Sequence, residues 1–139
     1  MDPEAYLDVN VFVYWLGGHP THGAKAHSWI KTVENSFGAR CTTSTLSLYQ
    51  VLVVMAGLTG TTLSDVGFVE KVYTAITGLL GLRMVPLTSR HFSRALALMH
   101  SYGVDYEDAL HLAVAMDEGL NKIVSNDKDF DKTPLNRMF

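Results

Sequence analysis

Three aspartates lie close to predicted strand ends, where acidic side chains can meet. Asp8 closes a short apolar run that begins at Ala5, and Asp127 lies in the polar turn after the apolar run 122–125. Asp108 lies in the first turn of a predicted helix that leads into that later run. Because ligands of parallel α/β sheets bind beyond the carboxyl ends of the strands, we expect the three carboxylates to converge at one edge.

Carboxylates that converge need a compensating cation. Two like charges about 4 Å apart repel by roughly 4 kcal/mol at an effective dielectric near 20. Magnesium and manganese prefer hard oxygen ligands and suit a few carboxylates that open onto water, whereas zinc fits less well. A metal held in this way activates water and stabilises charge on a phosphodiester oxygen, so the pattern points to nuclease chemistry.

Each of these acids also has a purely structural interpretation. Asp8 can cap the helix that follows it, and Asp108 can interact with the dipole of its own helix. Asp127 and its neighbour Asp129 can be turn formers. From spacing alone, a shared metal site and these separate roles are alternatives.

The elements that must position the acids follow from hydrophobic periodicity and capping signals. Strands are predicted at residues 5–8, 39–42, 84–87 and 122–125. Helices are predicted at 9–16, 21–37, 46–56, 62–80, 89–102 and 106–118, the last with Asp105 as its N-cap and several with a glycine as their stop. Short strands that alternate with helices indicate an α/β fold, with a mostly parallel sheet of about four to five strands flanked by helices.

The composition is that of a globular chain. With 139 residues, 47% of them hydrophobic and 18% charged, residues 1–139 are expected to form a single domain. No segment reaches the roughly 18 uninterrupted apolar residues of a membrane span, and the acidic start lacks the basic lead of a secretory signal. We therefore expect a cytoplasmic protein without membrane contact. The single cysteine, Cys41, is expected to be a buried free thiol.

The net charge of −3 argues against broad electrostatic binding of nucleic acid by the chain alone. A bound divalent metal would supply local positive charge where a phosphate group sits.

Four segments, in order, resemble the PIN domain and in particular the VapC-like toxins of prokaryotic toxin–antitoxin pairs. They are YLDVNVF at 6–12, TSTLSLYQVL at 43–52, YEDALHLA at 106–113 and VSNDKDF at 124–130. The likeness covers nearly the whole chain. It implies a PIN-like domain with a parallel sheet, Mg²⁺- or Mn²⁺-dependent endonucleolytic cleavage of RNA, and homodimers whose sites are blocked by a cognate antitoxin.

The same resemblance assigns roles to individual residues. Asp8, Asp108 and Asp127 match the family's metal-binding acids and are the predicted catalytic residues. Asp129 matches an additional acid of some members. Asn10 and Ser125 match polar positions close to the metal site.

One position departs from the family's pattern. Before Val51 the family usually places a glutamate, and here the best match is Gln50, a neutral amide. Three explanations are open: the enzyme works with a weaker site, a neighbouring acid such as Asp129 compensates, or catalysis has been lost and the fold retained.

Several other polar residues of the chain have possible functional roles. Zinc binding is not expected at the histidines of the segment 19–27, because no second ligand cluster follows them. His111 is expected to be a partly buried packing residue. Arg90 and Arg94 lie one helical turn apart, but an exposed helix face explains them equally well. Lys128, next to Asp127, is the better-placed candidate for an RNA contact.

Two rival functions stay open from the sequence. One is a catalytically silent PIN-like module that binds RNA or a protein partner, which Gln50 motivates. The other, a phosphoacceptor receiver domain, is disfavoured because it expects adjacent acids after the first strand, and Asp8 is followed by Val9. The apolar helical segments 46–56 and 66–80 would leave hydrophobic faces that dimerisation could bury, although a plain core explains them as well.

Overall fold

The computed structural model of the chain describes residues 4–35 and 41–139. Within them the strands are β1 (Ala5–Leu7), β2 (Cys41–Ser44), β3 (Leu82–Val85), β4 (Lys122–Val124) and β5 (Asn136–Met138). The helices are α1 (Val9–Gly17), α2 (Gly23–Glu34), α3 (Thr45–Thr59), α4 (Val66–Thr77), α5 (Ser89–Tyr102) and α6 (Tyr106–Asp117), and a 3-10 helix (Lys128–Lys132) follows β4.

The five strands form one sheet in the order β3-β2-β1-β4-β5, and every neighbouring pair is parallel. β1 lies in the middle, with Ala5 opposite Cys41 of β2 and Leu7 opposite Val124 of β4. Because β1 and β4 are parallel neighbours, the residues that follow them emerge at the same edge of the sheet. The predicted α/β class with a mostly parallel sheet is confirmed.

The side chains of β1 alternate between two cores, as the two-residue period of a strand requires. Ala5 and Leu7 pack with buried residues of α1 to α4 on one face of the sheet. Tyr6 packs on the other face with α5 and α6. In α6, residues 109–115 are all buried, so this helix is held on several sides and gives Asp108 a rigid support.

Several helix boundaries differ from the predictions: α2 spans Gly23–Glu34 rather than 21–37, and α4 ends at Thr77 rather than at 80. Two further differences have a clear physical cause. The stop predicted at Gly57 is wrong, since α3 continues to Gly60, whose φ of +67° is a conformation that glycine adopts without steric cost. The predicted start at 62 is also wrong. The Asp65 side chain accepts a hydrogen bond from the Phe68 backbone N–H, so it caps the helix that begins at Val66.

The strands differ from the predictions at the second, third and fifth positions. β2 extends to Ser44 rather than ending at 42. The third strand lies at Leu82–Val85 rather than 84–87, because it pairs with β2 and ends before Pro86, which has no backbone N–H to donate. The fifth, β5, has no strand-like sequence pattern and forms by pairing with β4 at the sheet edge. Parts of two predicted elements, residues 36–37 and 39–40, lie outside the described residues, as does the predicted stop at Gly38.

Cys41 is a buried free cysteine, as predicted, and burial raises the pKa of its thiol to about 11. In the described ranges, no helix is both long enough and apolar enough to cross a bilayer.

Candidate active site

An open cleft of about 450 Å³ lies at the carboxyl edge of the sheet. It is bordered by the start of α1, by α3, by the start of α6 and by the turn after β4. Its polar lining residues are Asp8, Asn10, Tyr49, Gln50, Glu107, Asp108, His111 and Asp127. The structure therefore brings the three predicted catalytic aspartates into one cleft.

A closer grouping forms within and beside this cleft. One carboxylate oxygen from each of Asp108, Asp127 and Asp129 lies within 4.8 Å of the other two. Asp8 lines the cleft but is not part of this close grouping among the described residues. Three of the four predicted acids therefore cluster, and the fourth, Asp8, is buried deeper in the structure.

Asp8 is buried and hydrogen-bonded on both oxygens. Its Oδ1 accepts the backbone N–H of Val9 at 2.8 Å, which makes Asp8 the N-cap of α1. Its Oδ2 accepts the Ser125 hydroxyl at 2.6 Å and the Asn10 amide at 3.3 Å. The structural interpretation of Asp8 as a cap is therefore correct, and it is compatible with a role in the cleft because a carboxylate has roughly four acceptor sites.

The polar residues predicted near the site tie β1 to the turn after β4. The Ser125 hydroxyl, besides binding Asp8, accepts the backbone N–H of Asp127 at 3.0 Å. The Asn10 side chain donates to Ser125 and accepts the backbone N–H of Asn126. These bonds fix the turn that carries Asp127.

Asp127 and Asp108 are also held locally. Asp127 caps the 3-10 helix, and its Oδ1 accepts the backbone N–H of Asp129 at 2.9 Å. The backbone N–H of Asp108 donates to Asp105, the N-cap of α6. The segment predicted as a polar turn at 126–129 is thus a capped helical turn that brings Asp129 beside Asp127.

The electrostatics of the cleft are most visible at Asp108. Burial raises its pKa to about 7, with further contributions from the negative charges of Asp127, Asp105, Asp8 and Asp129. Burial is the largest cause, and the negative charges that add to it mark a place where a cation would be stabilising.

A chain of hydrogen bonds that the sequence did not predict reaches the cleft from the core. His111 Nε2 lies 2.6 Å from Gln50 Oε1, and its Nδ1 lies 2.7 Å from the hydroxyl of buried Tyr6. Gln50 Nε2 donates to Glu107 at 3.0 Å. His111 is buried as expected, but it also lines the cleft. Its spacing of one helical turn from Asp108 was the signal available in the sequence.

The basic residues lie around the acids rather than among them. Lys128, the predicted RNA contact, is exposed at the start of the 3-10 helix. Lys132 lies 3.4 Å from Asp129, and Arg137 donates to the Ser125 carbonyl. Arg90, at the start of α5, forms an ion pair with Asp117 at the end of α6.

The histidine segment packs with aromatic rings near the turn that carries Asp127. The rings of His19 and His22 stack with centroids 4.9 Å apart, and Tyr14 packs against both. The Asn126 side chain donates to the Tyr14 hydroxyl.

The donor set fits a divalent cation of the hard type. It consists of carboxylate oxygens in an open cleft, and a cation would relieve the repulsion that adds to burial in raising the pKa of Asp108. Fold and site together define an α/β protein with an acidic cleft at the carboxyl edge of a parallel sheet. The chain belongs to the PIN domain family, whose profile matches residues 5–135.

Solved structures with the same fold include toxin–antitoxin proteins. The chain is similar to VapC20 of Mycobacterium tuberculosis, described as a Sarcin-Ricin loop cleaving toxin, with a TM-score of 0.72, 14% identity, and coverage of 91% of this chain and 92% of that one. A toxin-antitoxin complex from Klebsiella pneumoniae gives a TM-score of 0.64 at 17% identity, covering 95% and 98%. VapBC2 from Rickettsia felis, bound to a promoter DNA fragment, gives 0.64 at 15% identity, covering 97% of each chain. Curated protein sequences give no significant match.

Proposed function

We propose that this protein is a Mg²⁺- or Mn²⁺-dependent endoribonuclease, a hydrolase of RNA phosphodiester bonds, and the toxin of a type II toxin–antitoxin pair. The observation that carries the proposal is the grouping of Asp108, Asp127 and Asp129 at the sheet edge, next to buried Asp8. The family and the toxins among the solved relatives support it.

In this proposal Asp8, Asp108, Asp127 and Asp129 hold the metal. When bound, the metal would activate water and stabilise negative charge on the scissile phosphate. The protein's own residues set the geometry: Ser125 and Asn10 orient Asp8, while the caps at Asp105 and Asp127 fix the other carboxylates.

RNA, an antitoxin and a second copy of the chain are the proposed partners. Lys128, exposed beside the acids, is the proposed phosphate contact. The toxin–antitoxin complex among the solved relatives supports an antitoxin partner, which the proposal places over the cleft. A location in the cytoplasm, expected from the sequence, stays a prediction.

The test is cleavage of a pool of structured and single-stranded RNA with Mn²⁺, Mg²⁺ or EDTA. We expect the wild type to cut with either metal and not with EDTA, and Asp8→Asn to abolish cutting while the fold is preserved. Asp65→Asn is the matched control, since Asp65 is exposed at the start of α4 and asparagine caps a helix as well as aspartate. Undiminished cutting by Asp8→Asn would reject the assignment.

A second candidate function is a catalytically silent PIN-like module that binds RNA or protein. It is favoured by the neutral Gln50 in the cleft. For this candidate, we expect the wild type to bind RNA in a gel-shift assay. It should show no metal-dependent cutting under any of the conditions above.

A further inference from the structure

The Gln50 side chain is held in one orientation by groups on both sides. Its Oε1 lies 2.6 Å from His111 Nε2, and its Nε2 lies 3.0 Å from a carboxylate oxygen of Glu107. An amide oxygen only accepts and an amide nitrogen only donates. The two contacts therefore require that His111 donates to Gln50 and that Gln50 donates to Glu107.

The orientation is anchored in the core. A neutral imidazole that donates from Nε2 must accept at Nδ1, so the Tyr6 hydroxyl donates to His111. The Tyr6 oxygen in turn lies 2.9 Å from the Ser44 hydroxyl, which can donate to it. Tyr6 is fully buried and His111 is 2% exposed, so this chain aims the Gln50 amide nitrogen outward into the cleft.

The Glu107 carboxylate accepts the hydrogen bond from that nitrogen. It lines the same cleft as Asp8, Asp108 and Asp127, although it is not part of the close grouping of three carboxylates. Left alone, an exposed glutamate would sample several rotamers, and the hydrogen bond from Gln50 restricts it to the cleft. A negative charge kept at this place acts on a cation through space, without direct ligation.

A glutamate at position 50 would meet Glu107 at about 3 Å and repel it, whereas the neutral amide donates to it. The neutral residue at 50 and the acid at 107 are thus complementary.

We propose that Glu107 is an additional acid of the metal site, and that Gln50 is the positioning residue that holds it there. The proposal rests on the metal-dependent site of the proposed function. In this proposal the negative charge that the neutral Gln50 lacks is supplied by Glu107 on α6, and not by Asp129 alone.

The test is Mn²⁺ binding to the RNA-free protein, followed by the EPR signal of free Mn²⁺. The set contains the wild type, Glu107→Gln, Gln50→Ala, the two combined, and the exchange Gln50→Glu/Glu107→Gln. Asp108→Asn is the reference for loss of the site, and Glu70→Gln, an exposed acid on α4, is the matched control for loss of one charge. Circular dichroism checks that each variant is folded.

We expect Glu107→Gln to weaken Mn²⁺ binding roughly three- to tenfold, as the removal of one charge near a divalent cation predicts. Gln50→Ala should weaken it less, and should add nothing in the Glu107→Gln background. The exchange variant should bind within about twofold of the wild type.

Three results would overturn the proposal. Binding by Glu107→Gln equal to that of the wild type and of Glu70→Gln removes Glu107 from the site while leaving the proposed function intact. Additive effects of Gln50→Ala and Glu107→Gln remove the positioning role. A wild type that binds Mn²⁺ no better than Asp108→Asn rejects the metal site, and with it both the proposed function and this inference.

Discussion

Asp108 is a carboxylate surrounded by carboxylates. Its pKa is raised to about 7 by partial burial and by four neighbouring aspartates, whereas an unfolded chain would give an ordinary value near 3.8. The folded state therefore binds the Asp108 proton more tightly than the unfolded state does. The favourable contribution of that proton is fully present below the unfolded pKa and is lost as pH rises through the folded pKa.

This sign predicts the effect of Asp108→Asn on the metal-free protein. In EDTA at pH 8 the variant should melt a few degrees higher than the wild type, because a neutral amide avoids both the cost of burying a charge and the repulsion from the neighbouring aspartates. The difference should shrink as pH falls from 8 to 4, and added Mn²⁺ should raise the melting temperature of the wild type only. Differential scanning calorimetry across this range measures both effects. A variant less stable than the wild type at pH 8 would contradict the electrostatic account.

Tyr6 places a hydroxyl in the core, where burial raises the pKa of its phenol and keeps it protonated. Tyr6→Phe leaves the buried Nδ1 of His111 without its donor. We expect the free energy of unfolding to fall by about 1 to 3 kcal/mol, the usual penalty for an unsatisfied buried polar group. Urea denaturation measures this. Stability equal to the wild type would mean that the hydroxyl does not hold His111.

At the scale of elements, α4 shows why periodicity misplaces a helix start. The apolar positions recur from Val66 onward and leave the start of the helix open by several residues, whereas the cap at Asp65 decides where the backbone turns helical. Asp65→Ala should destabilise the fold by about 1 kcal/mol, whereas Asp65→Asn should have little effect. Chemical denaturation of the pair checks this, and equal stabilities of the two variants would remove the cap from the explanation.

β5 is an element that the sequence pattern did not indicate. Its segment is short and polar, and it becomes a strand because the backbone of β4 offers a free edge. The Ser125 backbone N–H donates to the Met138 carbonyl, and Arg137 donates to the Ser125 carbonyl. This edge strand therefore helps to hold the residue that binds Asp8.

At the scale of the whole molecule, α3 presents apolar side chains to solvent beside the cleft. Val53, Val54 and Leu58 are 44%, 41% and 67% exposed. Such a stripe is typical of a surface that another protein covers, and the expected homodimer would use it.

We therefore predict that the protein sediments as a dimer and that Val54→Glu/Leu58→Glu shifts it to a monomer without loss of helix content. Leu80→Glu is the control, since Leu80 is 81% exposed beyond the end of α4. Analytical ultracentrifugation measures the masses. A dimer that survives the double variant would place the interface elsewhere.

The sequence determined much of this arrangement by local chemistry. Alternating apolar runs and caps placed β1, β4 and α6 to within a few residues, and in a parallel sheet that is enough to predict that Asp8, Asp108 and Asp127 share an edge. The strands at 84–87 and beyond 135 were harder, because pairing with a neighbour rather than local propensity fixes a short strand.

Only the tertiary structure decided how the acids divide and what surrounds them. The capped turn after β4 brings Asp129 next to Asp127 and Asp108, while Asp8 lies outside this group and accepts a hydrogen bond from Ser125, a residue 117 positions away. The contact of Gln50 with Glu107 spans 57 positions. Such contacts depend on how distant segments pack around α6, and no local pattern of residue types encodes that packing.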